Sequence, residues 1–285
     1  MTLDFTDFTP ILPEQKRQFD EEGYLIVRNV LNTKTIESLI TASDRLIATD
    51  TRSNRQQTNN GLYDSFRNCV SMDGAFLPLL THPKIFSLVV QLLGPHLNLM
   101  TSHLIYRYAD PADAPLSWRL PGWHRDHYTS MRDLGHAHIP CHSLKCAYYL
   151  TDLSEPHTGV TLMAPGTNHL TQAMHIPEGE ADPPNTVERL LNSGDCVIFE
   201  NRTYHAGAAN RSRRIRKAVM FGYSYSWMRS TDYKRQSAEL VEQLDPMGRY
   251  LVGELADTNE EFSVSSGPNP IQEWSETAGF TYQAQ

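Results

Sequence analysis

Long apolar runs are missing from this chain of 285 residues, and their absence removes one large class of proteins at once. No stretch approaches the roughly 18 consecutive apolar residues of a membrane-crossing helix, so no membrane partner is expected. The start, Met-Thr-Leu-Asp-Phe-Thr-Asp, is acidic and lacks the basic-then-apolar order of a secretory leader. Cysteine is scarce: Cys69, Cys141, Cys146 and Cys196 are scattered without C-x-x-C spacing. In a chain this large they read as buried thiols rather than a disulfide frame or zinc knot, which fits a cytoplasmic protein. A surplus of basic charge is also lacking. With 25 Lys and Arg against 33 Asp and Glu the net charge is −8, and nucleic acid asks for a basic surface. No His-Glu-x-x-His helix and no Gly-x-Ser-x-Gly turn occurs, so the signatures of zinc peptidases and serine hydrolases are absent.

What is present is a chain with 40% hydrophobic residues, enough for a sizeable core at a length where β-rich folds still form one domain. No repeat or linker divides it, so residues 1–285 are expected to be a single domain. Residues 1–96 read as mainly helical. A helix over 14–22 leads into a strand over 24–30. A second helix follows Asn32 or Thr33 as cap, with Ile36, Leu39, Ile40, Leu46 and Ile47 as its apolar stripe. A third is expected to be capped by Thr81, with Pro83 in its first turn and Gly94 at its end. Polar residues 51–60 read as a loop. Over 97–228 the pattern turns to strands, at 97–108, 141–150, 159–164, 195–200 and 217–225. Residues 229–285 read as a polar extension along the surface, with Gly267-Pro-Asn-Pro270 breaking regular structure. Helices first and strands after indicate an α+β fold with helices packed on one face of a barrel.

Against this background a few residues carry chemistry. Trp123-His-Arg-Asp-His127 contains a His-x-Asp pair. On an extended strand His124 and Asp126 would share one face, and Arg125 would point to the other, in a structural role. His205 follows the strand-like run 195–200. Two imidazoles and a carboxylate give three ligands on one face of an octahedral metal and leave three positions open, the arrangement of non-haem Fe(II) oxygenases. Each part alone is common, since a lone histidine is more often a satisfied core or surface residue than a ligand. Arg216, opening the strand beyond His205, adds weight because a guanidinium fork suits a carboxylate, and a keto-acid cosubstrate carries one at the end far from the metal.

Taken together these stretches resemble the phytanoyl-CoA dioxygenase family of Fe(II)/2-oxoglutarate-dependent oxygenases. The resemblance rests on four places. Phe19-Asp-Glu-Glu-Gly-Tyr-Leu-Ile-Val-Arg-Asn-Val30 is similar to the family's opening helix and strand, and His124-Arg-Asp126 to its nearer ligand pair. Ala147–Asp152, running on to Gly159 and Ala164-Pro-Gly-Thr-Asn-His169, is similar to its strand, turn and Pro-Gly-Ser-His stretch. His205 through Asn210 to Arg216 and Lys217 matches the third ligand and the 2-oxoglutarate arginine. There are two departures: Gly207 stands where many members carry Ser, and His157-Thr-Gly159 replaces the usual Asn-Gly. The resemblance implies a double-stranded β-helix of the jelly-roll or cupin kind. It also implies iron on His124, Asp126 and His205, 2-oxoglutarate paired with Arg216, and O2 as oxidant. Succinate and CO2 would be released as a C–H bond is oxidised. Because Asp126 fills the place that iron halogenases leave to chloride, halogenation is not expected.

Two other classes compete. A barrel that only stores metal would share the three ligands but has no use for Arg216, and a zinc hydrolase lacks its signature. Within the family, a small biosynthetic metabolite is preferred as substrate over a fatty acyl-CoA. The one basic cluster, Arg211-Ser-Arg-Arg-Ile-Arg-Lys217, reads as a solvated loop whose Arg216 turns inward. Loops 127–140 and 171–193 are where specificity would sit. The oligomeric state is left open by the sequence.

Overall fold

The computed structural model describes residues 7–49, 51–52, 54–58, 61–254 and 268–282. The acidic start up to Thr6, the loop residues Ser53, Asn59 and Asn60, and Gly267 lie outside the described residues. The strands are β1 (Tyr24–Val27), β2 (Arg55–Thr58), β3 (Tyr63–Arg67), β4 (Leu97–Arg107), β5 (Ser143–Tyr149), β6 (Thr161–Met163), β7 (Val187–Glu188), β8 (Cys196–Glu200), β9 (His205–Gly207) and β10 (Arg216–Tyr225). The helices are α1 (Pro13–Glu22), α2 (Thr33–Thr49), α3 (Leu77–Leu80), α4 (Pro83–Leu93), α5 (Tyr128–Leu134), α6 (Ala238–Glu242), α7 (Pro246–Leu251) and α8 (Pro270–Thr277). Among the described residues no single helix is long and apolar enough to cross a membrane.

Two antiparallel sheets organise the chain. One has seven strands in the order β1-β8-β5-β10-β4-β3-β2, the other three in the order β7-β6-β9. Strand side chains alternate between faces, and the large sheet uses both faces for burial. On β10, Val219, Phe221 and Tyr223 pack in the larger core with the helices, whereas Ala218 and Met220 pack in a second core with Val160, Leu162 and Ala208 of the small-sheet side. On β4 and β5, Leu104, Tyr106, Leu144, Cys146 and Tyr148 belong to the first core, and Ile105, Ala147 and Tyr149 to the second. This phase decides where polar residues go. Arg216, His103 and Lys145 alternate with the helix-facing residues and therefore share the face that looks toward the small sheet.

Several expectations need correction. Residues 51–60 are not only loop: Arg55–Thr58 forms β2 at the edge of the large sheet, its register set by pairing with β3. The first strand stops at Val27 rather than 30. Asn29 there takes φ 52 and donates its N–H to Asp195 Oδ1 at 3.0 Å, turning the chain so that Val30 and Leu31 bond the Gly194 carbonyl. The cap of α4 is His82 rather than Thr81, with no side-chain cap bond. Pro83 at its first position presets φ and needs no N–H acceptor, so a hydroxyl cap is not required. Asn32 does cap α2, accepting the N–H of Thr35 at 2.9 Å.

The C-terminal part is not merely a surface extension. Leu240, Met247, Tyr250, Leu251, Ile271 and Trp274 are all buried in the larger core. Pro270 does not break structure but opens α8, with the Asn269 side chain accepting from the N–H groups of Ile271 and Gln272. Its polar composition hid a few apolar residues at helical spacing. Trp274 lies edge-on to Phe8 at 4.9 Å and stacks on Phe86 at 6.0 Å. Truncating it to Ala should cost about 3–5 kcal/mol, the usual range for a buried aromatic. Urea unfolding of Trp274→Ala measures this, and a loss below about 1 kcal/mol would show that α8 is not part of the core.

Candidate metal centre

The segment carrying His124 and Asp126 is not a strand, contrary to expectation. It meets β9 of the small sheet at an isolated bridge, His124 to His205, in which each N–H donates to the other's carbonyl at 3.0 Å, and again where Leu120 and Pro121 bond to Gly207. Pro121 and Gly122 precede the bridge, and His127, at φ 59, turns the chain out of extended conformation beyond it. The side chains converge nonetheless. His124, Asp126 and His205 each offer a ligand atom, and these atoms lie within 4.8 Å of one another.

Both imidazoles are oriented by the carbonyl two residues before them. His124 Nδ1 lies 2.8 Å from the Gly122 oxygen, and His205 Nδ1 lies 3.0 Å from the Thr203 oxygen. A carbonyl only accepts, so each Nδ1 carries the proton and each Nε2 keeps a free lone pair, the state a metal requires. The rings are 4.3 Å apart, and His205 also packs on Phe199 at 4.7 Å. Burial, with the positive side chains nearby, pushes the His205 imidazole down to about 3, so it stays neutral. For Asp126 burial acts to raise the carboxyl, but Lys145 and the two histidines hold it well below the usual carboxylate range. The Lys145 ammonium donates to Asp126 Oδ1 at 2.7 Å. Two bare imidazole nitrogens and an ionised carboxylate fit a divalent non-haem metal.

The triad opens on a cavity of about 630 Å³, also lined by Arg216, Arg67, His103 and Lys145. Arg216 is 2% exposed, and its Nε has no hydrogen-bond partner among the described residues. A buried charged donor left unmatched costs at least about 1–3 kcal/mol. The chain reaches Arg216 from His205 through a tied turn: Asn210 donates to the carbonyls of Arg107 and Arg214, and accepts from Ser212. Arg214 pairs with Asp152 at 2.9 Å on the surface, and Arg211 donates to the carbonyls of Pro111, Ala112 and Ala114.

Arg125 is buried and lines the same cavity as the triad. Its guanidinium donates to the Thr167 and Leu170 carbonyls and sits 4.8 Å over the Tyr204 ring. Of loop 127–140, His127 reaches the cavity, while Tyr128 is exposed and Arg132 pairs with Asp133. Loop 171–193 acts through Asp182, which takes Arg119 Nε at 2.6 Å and Trp123 Nε1 at 2.9 Å and so braces the segment leading into His124. Sequence reasoning missed Lys145, Arg67 and His103. Lys145 had a signal, a lone charge inside the run Ser-Leu-Lys-Cys-Ala-Tyr-Tyr. Arg67 and His103 become visible only through the register that sets them side by side on β3 and β4.

Gly207 explains its own departure from Ser. A Cβ there would lie 2.0 Å from the Leu120 carbonyl oxygen, because Leu120 and Pro121 run directly across it, bonded at 3.1 and 2.9 Å. Gly207→Ser should therefore lower stability by about 1–3 kcal/mol or more, since backbone cannot yield as a side chain does. An unchanged thermal midpoint would show that segment 119–122 does not pack there.

Comparisons with known proteins point one way. The profile of the family described as Phytanoyl-CoA dioxygenase (PhyH) matches residues 19–218. The Aspergillus aculeatus protein named dioxygenase aneA is 28% identical over 71 residues, a match that spans 24% of this chain and 24% of the relative. The Emericella variicolor protein named dioxygenase andF is 22% identical over 271 residues, covering 88% of this chain and 87% of the relative. Among solved structures, the epimerase SnoN, crystallised with Fe3+, alpha ketoglutarate and nogalamycin RO, superimposes with a TM-score of 0.57 at 20% identity, covering 74% of this chain and 82% of that one.

Proposed function

Since the chain belongs to the phytanoyl-CoA dioxygenase family and is a non-haem Fe(II)/2-oxoglutarate-dependent dioxygenase, we propose that His124, Asp126 and His205 hold the iron and that Arg216 anchors the cosubstrate. The reaction we assign is oxidation of a C–H bond in a small biosynthetic metabolite, by hydroxylation or a related tailoring step. The observation that carries the ligand set is the matched orientation of the two imidazoles, each with Nδ1 spent on a carbonyl and Nε2 bare beside Asp126. The two facing sheets, with the His124–His205 bridge extending the smaller one, serve as the halves of a double-stranded β-helix.

Bound together, Fe(II), 2-oxoglutarate and O2 supply the oxidising power, with succinate and CO2 as coproducts. The chain's own residues do the rest. His124, Asp126 and His205 would hold the iron as three protein ligands, with room left for the cosubstrate and oxygen. Arg216 pairs with the distal carboxylate, and Arg67 adds positive charge to the same cavity for a dianion. Phe199 and Met220 give the cavity an apolar wall that keeps water from the reacting carbon.

A small metabolite is favoured over an acyl-CoA. A cavity of about 630 Å³ lies within the range of about 300–1,000 Å³ typical of small-molecule sites. Of the basic loop beyond His205, Arg211 is engaged with three carbonyls and Arg214 with Asp152, which leaves Arg213 as its exposed arginine outside these contacts. A metabolite screen of the Fe(II)-loaded protein, scoring succinate release coupled to a product heavier by one oxygen or lighter by two hydrogens, tests this. Turnover of acyl-CoA esters alone would overturn the substrate class.

Two substitutions probe the assignments. His205→Ala should lose Fe(II) affinity and turnover together, and wild-type turnover in that variant would remove His205 from the ligand set. Arg216→Ala should keep its iron while the 2-oxoglutarate requirement rises by the equivalent of about 2–5 kcal/mol, the cost of unpairing a desolvated charge. Arg214→Ala should change little, because its pair with Asp152 is about half exposed on both sides. The KM for 2-oxoglutarate in each variant decides; a large rise in Arg214→Ala would move the anchor.

A further inference from the structure

Lys145 occupies an unusual place for a lysine. It lies in the middle of β5, between Leu144 and Cys146, with Gly222 and Phe199 as its cross-strand partners. Its side chain is only 16% exposed and points into the metal cavity. Burying an ammonium there costs solvation and rotamer freedom, and among the described residues the compensation is one short contact, Nζ to Asp126 Oδ1 at 2.7 Å. Nothing in the reaction assigned above uses it.

We propose that Lys145 is a positioning residue that confines Asp126 to one-oxygen ligation. The inference rests on the ligand set given above. A carboxylate can bind a metal through one oxygen or both. If Asp126 closed on the iron with both, it would fill a fourth of the six positions and leave two, which a chelating keto acid takes completely. Oxygen would then have no position. With Oδ1 held by Lys145, Oδ2 is the Asp126 oxygen without a hydrogen-bond partner among the described residues; it is the one assigned to the metal, and three positions stay open. The same ammonium repels the divalent ion a few ångströms away, so the lysine gives up some metal affinity for reactivity.

That combination yields a signature with a definite sign. A residue that merely supported the fold would, on removal, loosen the metal and slow the reaction together. Removing Lys145 should instead tighten the metal and slow the use of oxygen. The test compares the Fe(II)-loaded wild type with Lys145→Met, which is similar in shape but uncharged, and with Lys145→Gln, which keeps an N–H donor without the charge. Fe(II) dissociation constants come from anaerobic competition with a chelator. Coordination number comes from near-infrared magnetic circular dichroism with 2-oxoglutarate bound, and reactivity from O2 consumption.

In Lys145→Met, Fe(II) should bind about tenfold more tightly, the open position in the 2-oxoglutarate complex should be lost, and O2 consumption should fall at least about tenfold. Lys145→Gln should share the tighter metal but retain the open position and most of the O2 consumption. Unchanged or weaker Fe(II) binding in both variants, or an unchanged coordination number in Lys145→Met, would overturn the proposal. A wild-type protein that bound no Fe(II), or bound it equally well as Asp126→Ala, would instead overturn the ligand set itself. That result is separable because it requires no Lys145 variant.

Discussion

Two backbone hydrogen bonds between His124 and His205 are the constraint on which the site depends. They join segments far apart in sequence and fix the separation of the two imidazoles before any side-chain contact is made. Around them the approach is braced on all sides. Leu120 and Pro121 bond to Gly207, Asp182 holds Arg119 and Trp123, and Arg125 is anchored on carbonyls at Thr167 and Leu170. A stretch with no regular structure of its own is thereby held as firmly as a strand. That firmness matters because a ligand set loses affinity and reactivity when its outer partners let the rings turn.

The electrostatics of the cavity run against those of the whole chain. The protein carries a net charge of −8, yet Arg216, Lys145 and Arg67 face the cavity with Asp126 as the acidic counterpart among its lining residues. A locally positive pocket in a negative molecule favours small anions over the rest of the surface. The orphaned Nε of Arg216 marks the point at which that charge is unspent. Lys145 shows the complementary case, a buried cation whose ammonium donates to the Asp126 carboxylate.

Much of this was legible before the fold was known, and for identifiable reasons. Spacing exposed the His-x-Asp pair, and the strand pattern around 195–225 set His205 after one strand-like run and Arg216 at the start of the next. The expected strands over 97–108 and 217–225 differ from those found by a residue. The metal segment was misread as strand because a two-residue period can be met by a single bridge as well as by a ladder. The tail was misread because burial there depends on scattered apolar residues, among them Leu240, Met247, Tyr250, Leu251, Ile271 and Trp274, diluted in a polar stretch. His103 and Arg67 could not be found from spacing at all, since their meeting is a property of sheet register.

The central claim is that the chain presents one preformed place for iron and, beyond it, one for a keto acid that needs both the metal and Arg216. Anaerobic titration of the purified protein with Fe(II) and 2-oxoglutarate, followed through the visible charge-transfer absorption of the iron–keto-acid chelate, tests it directly. The absorption should saturate at one Fe(II) and one 2-oxoglutarate per chain and should require both. No absorption at saturating concentrations of the two, or the same absorption from a chain lacking His205 and Asp126, would contradict it.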